Sequence, residues 1–225
     1  PPGMDELLDQ MDARGVTFAP ASGRQVWTLI DMFPGRPGMT VIGENGGIVM
    51  RDGVEVSSSP LDAPTMREAV RLVREATSGP DGIDGGLVMC GKQFAYVERT
   101  DDRFVDGVLP YYHRTKRIDD QIAIIDAIEA GEIDDAIVKL AVYVIGPVQA
   151  LAEATLARFA DTHQYAISGA NWADLQIRGV DKGSAVRDLQ RFLGVERSQT
   201  AVFGDAGNDL SMMSEGDLSF AMANA

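Results

Sequence analysis

Apolar side chains recur at helical spacing through Met4, Leu7, Leu8 and Met11, and Gly15 stands where such a helix would end, so residues 4–14 are predicted to be helical. Residues 16–21 then read as a short buried strand closing on Ser22-Gly23-Arg24. A second helix over 25–33 stops at Pro34-Gly35, and a strand at 40–42 leads into Glu44-Asn45-Gly46-Gly47. Helix, strand, helix, strand at this spacing is the rhythm of a parallel sheet with crossover helices.

Beyond about residue 50 the rhythm changes. Residues 47–56 predict a hairpin turning on Asp52-Gly53, and a second hairpin joins 86–90 to 94–99 around Gly91-Lys92. Helices are predicted at 64–76, 119–130 and 147–160, the last with Pro147 in its first turn, and strands at 136–145, 164–168 and 172–177. From Gly179 the first rhythm returns. Residues 181–193 carry Ala185, Val186, Leu189, Phe192 and Leu193 on one helical face, with Gly194 following. A buried strand at 200–203 runs into Gly204-Asp205-Ala206-Gly207-Asn208-Asp209, and a short helix at 210–213 and a strand at 218–221 complete the pattern. The fold class is therefore α/β: a Rossmann-like doubly wound parallel sheet over 1–50 and 175–225, with an inserted α+β domain over 51–174.

Composition narrows the partners. Twenty basic against 34 acidic side chains give a formal net charge of −14. That surface repels nucleic-acid phosphates and anionic lipid, so neither is an expected partner, while a small anion remains possible where positive charge is concentrated. Cys90 is the sole cysteine, set in the apolar run Leu87-Val88-Met89-Cys90, which reads as a buried thiol in a reducing compartment. No apolar run approaches the ~18–20 residues that span a bilayer. The start, Pro1-Pro2-Gly3-Met4, has neither the basic nor the apolar segment of a secretory signal, so the cytoplasm is expected. Nothing in the pattern fixes an oligomeric state.

Three segments could carry chemistry. The strand at 200–203 delivers Asp205, Asn208 and Asp209 to its C-terminal end, where open α/β sheets bind ligands. Asp205 could face a hard cation and Asn208 an anion, although the same residue types favour plain turns and helix caps. Ser22 and Gly23 sit at a strand end and a helix start, where a hydroxyl and backbone N–H groups can converge on a phosphate oxygen; a simple N-cap serine is the other reading. Lys182 lies in the first turn of a helix, against the macrodipole, so a negative partner is expected for it; Asp181 or solvent could also answer its charge. Tyr111-Tyr112-His113-Arg114-Thr115-Lys116-Arg117, the basic aromatic stretch of an acidic chain, reads first as a solvated loop and otherwise as a contact for a phosphosugar.

Together, Ala21-Ser22-Gly23-Arg24, Glu44-Asn45-Gly46-Gly47, Asp181-Lys182-Gly183 and Gly204-Asp205-x-x-Asn208-Asp209 resemble the second to fourth signature motifs of the haloacid dehalogenase superfamily. The series and its spacing resemble the Cof-type phosphatases, which carry a large α/β cap between the second and third motifs. The resemblance implies a magnesium-dependent phosphatase of small phosphorylated metabolites, working through an aspartyl-phosphate. It implies that Ser22 and Gly23 bind the phosphoryl group, that Lys182 neutralises it and the nucleophile, and that Asn208 touches the phosphate. Asp205 would ligand Mg2+, with Asp209 supporting the metal site from behind. Asn45 would sit where the chain leaves the core, with a turn role and substrate contact both open. The family's first motif, Asp-x-Asp-Gly-Thr, has no counterpart in the 225 residues. The expectation is that an Asp-x-Asp pair precedes Pro1. Without it the chain would be a phosphate-binding pseudo-enzyme, and a phosphomutase of the same superfamily is the remaining alternative.

Overall fold

The computed structural model describes residues 3–36 and 38–225; Pro1 and Pro2, read above as part of a terminus without a signal segment, lie outside them. Helix α1 (Met4–Asp12) buries Leu8 against α2 (Val26–Asp31). Arg36 anchors α1 from its exposed side, donating to Asp9 and to Asp12. Strands β1 (Val41–Gly43), β2 (Ile48–Arg51) and β3 (Val54–Ser58) form an antiparallel sheet. Its β2–β3 turn is the predicted one: Asp52 and Gly53 both take positive φ, 52° and 73°, as a two-residue hairpin with right-handed twist requires.

Helix α3 (Ala63–Thr77) starts at Asp62, whose carboxylate accepts the Thr65 N–H at 2.8 Å. It packs on a six-stranded sheet built from β4 (Gly85–Gly91), β5 (Ala95–Val97), β6 (Thr115–Arg117), β7 (Ile137–Val144), β8 (His163–Ile167) and β9 (Trp172–Ile177), in the order β6-β5-β4-β7-β9-β8. Helices α3, α5 (Gln121–Glu129) and α6 (Gln149–Ala154) cover one face, over a core including Met89, Leu140, Val142, Leu151 and Leu175. Helix α4 (Asp102–Val108) lies on the other, with Phe104 and Val108 against Val88, Cys90 and Ala141. Cys90 is buried, as its apolar setting suggests.

The last helices and strands return to the first half. Helix α7 (Lys182–Leu193) is capped at both ends: Asp181 accepts the Ser184 N–H at 2.8 Å, and Gly194 ends it at φ 66°. Ala185, Val186 and Leu189 pack on Ile42 of β1, Val49 of β2 and Met212 of α8 (Leu210–Met213). Strand β10 (Ala201–Gly204) pairs in parallel with β11 (Leu218–Ala221), and among the described residues its other edge has no strand partner. With the parallel bridge between Ala21 and Ile42, these pieces make up the α/β core of the expected class.

Four local expectations change. Residues 16–19 run extended without ladder partners among the described residues, and the strand predicted there shrinks to the single parallel bridge of Ala21 with Ile42, in which Pro20 O accepts the Ile42 N–H at 2.9 Å. The helix expected over 147–160 breaks at Thr155 (φ −123°, ψ −90°), and Leu156–Phe159 continues as a 3-10 turn. Helix α4 was not anticipated, although Asp101 caps it and Phe104, Val105 and Val108 mark its buried side. The stretch from Tyr111 is not a solvated loop but a strap across α2. Gln25, fully buried, donates to Arg114 O at 3.1 Å and accepts the Arg114 N–H at 2.9 Å. The Thr28 hydroxyl donates to Tyr111 O at 3.0 Å, and the Arg114 guanidinium stacks 3.4 Å over Trp27. No helix among the described residues is long and apolar enough to cross a membrane.

Candidate active site

Asp209 organises the loop that follows β10. Its Oδ1 accepts the Lys182 ammonium at 2.5 Å, and its Oδ2 accepts the N–H groups of Asp205 and Ala206 at 3.0 and 3.1 Å. Burial opposes its charge, but Lys182 and those N–H groups outweigh burial and hold the carboxyl below the usual carboxylate range. The negative partner that Lys182 requires at the start of α7 is therefore Asp209, not Asp181, which is committed to the cap. Lys182 and Asp209 are each 5% exposed, whereas Asp205 and Asn208 face solvent beside them. Asp205 takes one contact, from the Asn224 amide to Oδ2 at 2.9 Å.

The second segment meets the first through Asn45. Ser22 O accepts the Asn45 N–H at 3.0 Å, and Asn45 Oδ1 accepts the Asn208 amide at 3.0 Å. Gly23 lies so close that a Cβ on it would stand 2.9 Å from the same Oδ1. The Ser22 hydroxyl accepts the Arg24 N–H at 3.2 Å; Ser22 does not cap α2, whose N-cap is Gln25. Asn45 holds the left-handed conformation (φ 52°), and Gly46 follows at φ 96° with the position of its missing Cβ only 2.1 Å from Asp181 O. The turn is thus pressed onto the start of α7, beside Lys182. Ser22, Gly23, Asn208, Asp209, Asp205 and Lys182 are joined in one continuous set of contacts, with Asn45 at its centre.

Three residues that sequence reasoning did not place in the site lie beneath it: Lys139 on β7, Asp174 on β9, and Glu44. Lys139 donates to Gly23 O at 2.7 Å and meets Glu44 Oε2 at 2.6 Å; Asp174 Oδ2 accepts the Asn45 amide at 2.9 Å. The signal was present, since Lys139 interrupts the apolar run Ile137-Val138-Lys139-Leu140-Ala141-Val142 of a strand buried on both faces.

A chain whose strand ends carry a buried Lys–Asp pair, an exposed Asp and a Ser-Gly turn linked by asparagines has the architecture of a haloacid dehalogenase-type phosphatase. A family model described as haloacid dehalogenase-like hydrolase matches residues 2–225. The chain belongs to that family, and it is a phosphatase. It is 33% identical over 223 residues to the 5-amino-6-(5-phospho-D-ribitylamino)uracil phosphatase YbjI of Escherichia coli, covering 96% of this chain and 75% of that one. Among solved structures, a haloacid dehalogenase-like hydrolase from B. subtilis superposes with a TM-score of 0.76 at 18% identity, covering 98% of this chain and 82% of the other. A subclass IIB sugar phosphatase superposes with a TM-score of 0.74 at 17% identity, covering 100% and 81%. At those identities the structural likeness speaks for the fold alone.

Proposed function

We propose that this phosphatase hydrolyses small phosphorylated metabolites, of the sugar or sugar-alcohol phosphate class, with Mg2+ and through an aspartyl-phosphate. The observation that supports this reading is the run of contacts from Ser22 through Asn45 to Asn208, and from Asp209 to Lys182 and the Asp205 N–H, next to the C-terminal end of β10. The Ser22 hydroxyl, whose oxygen accepts the Arg24 N–H, would donate to a phosphoryl oxygen, and Asn208 would meet another. Lys182, fixed by Asp209, would balance the charge that builds on phosphorus and nucleophile. Residues 51–174 would act as the cap that excludes water and selects the leaving group. The likeness to a phosphatase named for a phosphoribitylamino-uracil supports a leaving group of sugar-alcohol type bearing a ring.

Among the described residues, no group of three or more His, Cys, Asp or Glu stands close enough to hold a metal ion. Asp205 nevertheless projects an exposed carboxylate from the strand end, with Oδ1 accepting no hydrogen bond among the described residues, and it would supply one oxygen of a magnesium shell. The ion, when bound, would polarise the phosphoryl oxygens. An aspartyl-phosphate requires a nucleophilic aspartate in line with the phosphorus, and among the described strands the edge of β10 without a strand partner is the place beside Asp205 where one could stand.

The test is hydrolysis of 4-nitrophenyl phosphate and of a panel of sugar and sugar-alcohol phosphates by the full-length protein. We expect turnover with Mg2+, none with EDTA, and loss of Mg2+ affinity in Asp205→Asn. Unchanged turnover in EDTA would reject the metal role. Transfer of phosphate back to sugar rather than to water would make the enzyme a mutase.

A further inference from the structure

Lys139 and Glu44 are each 1% exposed and Asp174 5%, which makes them the most deeply buried ionic group of the molecule described here. Burial opposes the charge on Lys139, but Asp174 (Oδ2 at 3.9 Å) and Glu44 (Oε2 at 2.6 Å) outweigh burial and hold the ammonium above its ordinary range. Burial pushes the Glu44 carboxyl up against the pull of Lys139, and among the described residues its Oε1 has no hydrogen-bond partner. Stability alone does not call for such a group, since well-packed apolar residues of similar volume serve a core as well or better. The value of the charges lies in direction.

One arm of the cluster reaches Gly23. The Lys139 ammonium draws the Gly23 carbonyl inward at 2.7 Å. In a planar trans peptide the N–H of the next residue must then point the opposite way. The Arg24 N–H does so, and meets Ser22 Oγ at 3.2 Å on the face where phosphate is expected. The other arm runs from Asp174 to the Asn45 amide at 2.9 Å, and from Asn45 Oδ1 to the Asn208 amide at 3.0 Å. Both segments that would grip the phosphate are therefore aimed by side chains of the six-stranded sheet, more than a hundred residues from Gly23 in sequence.

We propose that Lys139, with Asp174, is a positioning residue of the phosphatase: it fixes the Gly23–Arg24 peptide and the Asn45–Asn208 pair in the orientation that receives the phosphoryl group. This rests on the functional reading above. The consequence is that seating of the sheet and phosphate binding are coupled, so loosening one loosens the other.

The test compares full-length wild type, the double variant Glu44→Gln/Lys139→Met and the single variant Asp174→Asn, all with Mg2+. The double variant removes the 2.6 Å ion pair at similar volume and leaves Asp174 with the Asn45 amide as its partner, so it should still fold, with its thermal midpoint lowered by no more than a few degrees. Its affinity for inorganic phosphate, read by calorimetry, should fall about 10- to 100-fold, the scale of misplacing a binding group by an ångström, with a matching fall in kcat/KM for 4-nitrophenyl phosphate. Asp174→Asn keeps the shape but not the charge and should show a smaller loss of phosphate affinity at unchanged midpoint. Folded variants with wild-type phosphate affinity and kcat/KM would overturn the proposal. So would failure of both variants to fold, because the cluster would then be a folding element. A wild type that neither binds phosphate nor hydrolyses the ester would overturn the functional reading and this inference with it.

Discussion

Replacing Gly46 with alanine tests the contact on which the site's geometry rests. The residue sits at φ 96°, and an added Cβ would lie 2.1 Å from Asp181 O, 2.6 Å from Asp181 C and 3.1 Å from Lys182 N. Neither side can yield cheaply. Asp181 is held by its reciprocal bonds with Ser184, and the turn is held by Asn45 N–H to Ser22 O and Gly47 N–H to Glu44 O. Backbone strain at such a φ costs about 1–3 kcal/mol, and forcing a methyl into a packed contact adds about 1–3 kcal/mol. A destabilisation of about 2–6 kcal/mol lowers the thermal midpoint of a chain this size by roughly 4–24 °C. Gly53→Ala is the control: its φ is also positive, 73°, but nothing lies within 4 Å of the new methyl, so it should cost only the strain. Melting of the two variants by circular dichroism separates strain from contact. Phosphate affinity should fall in Gly46→Ala alone, because the displaced partner is the turn that begins with Lys182. Equal midpoints in the two variants would refute the close approach.

Two further outcomes follow from other contacts. Asp209 has a depressed folded pKa, so the unfolded chain binds the proton more readily. Its contribution is present above the ordinary carboxylate value of about 3.9 and is lost as pH falls through the lower folded value. Asp209→Asn should therefore flatten the acid limb of stability against pH, and an unchanged limb would show that Asp209 is not held as described. Gln25→Ala leaves the N–H and carbonyl of Arg114 without their partner and should cost about 1–3 kcal/mol. Hydrogen exchange at the Arg114 amide should quicken in that variant; exchange as slow as in wild type would deny the strap its anchor.

Local grammar carried the sequence reading a long way. Asp181 and Gly194 bracket α7, Asp52-Gly53 sets a hairpin, and the Asp205, Asn208 and Asp209 spacing sets the turn that follows β10, because each is decided within a few residues. What the chain does not announce is decided at long range. Lys139 reads as a flaw in an apolar strand until Gly23 and Glu44 are brought beneath it. The strap from Tyr111 reads as a solvated loop because its polar partners are the backbone groups that Gln25 and Thr28 satisfy from 83 to 89 residues away. Residues 16–19 have the composition of a buried strand but lack ladder partners among the described residues, so propensity alone could not make them one.

The charge around the site argues for a cation before any chemistry is considered. Lys182, Lys139 and the neighbouring Arg24 stand against Asp209, Asp205, Glu44 and Asp174. Even with a proton on Glu44, whose carboxyl burial pushes up, the balance reaches only neutrality, inside a protein of formal charge −14. Asp209, 2.5 Å away, already offsets part of the Lys182 charge, so Lys182 alone does not balance a phosphate dianion. A phosphate dianion 4 Å from an uncompensated carboxylate is repelled by about 4 kcal/mol per unit charge at an effective dielectric of about 20. A divalent ion beside Asp205 reverses that sign. Inorganic phosphate should therefore bind at least about tenfold more weakly in EDTA than in millimolar Mg2+, an effect that such an energy readily covers. In Asp205→Asn the metal-free affinity should rise, because a repelling charge is gone, while Mg2+ should add little. Both can be read by calorimetry without turnover. Equal phosphate affinity with and without Mg2+ in the wild type would show that the protein's own N–H groups and cations suffice, and the charge argument would fail.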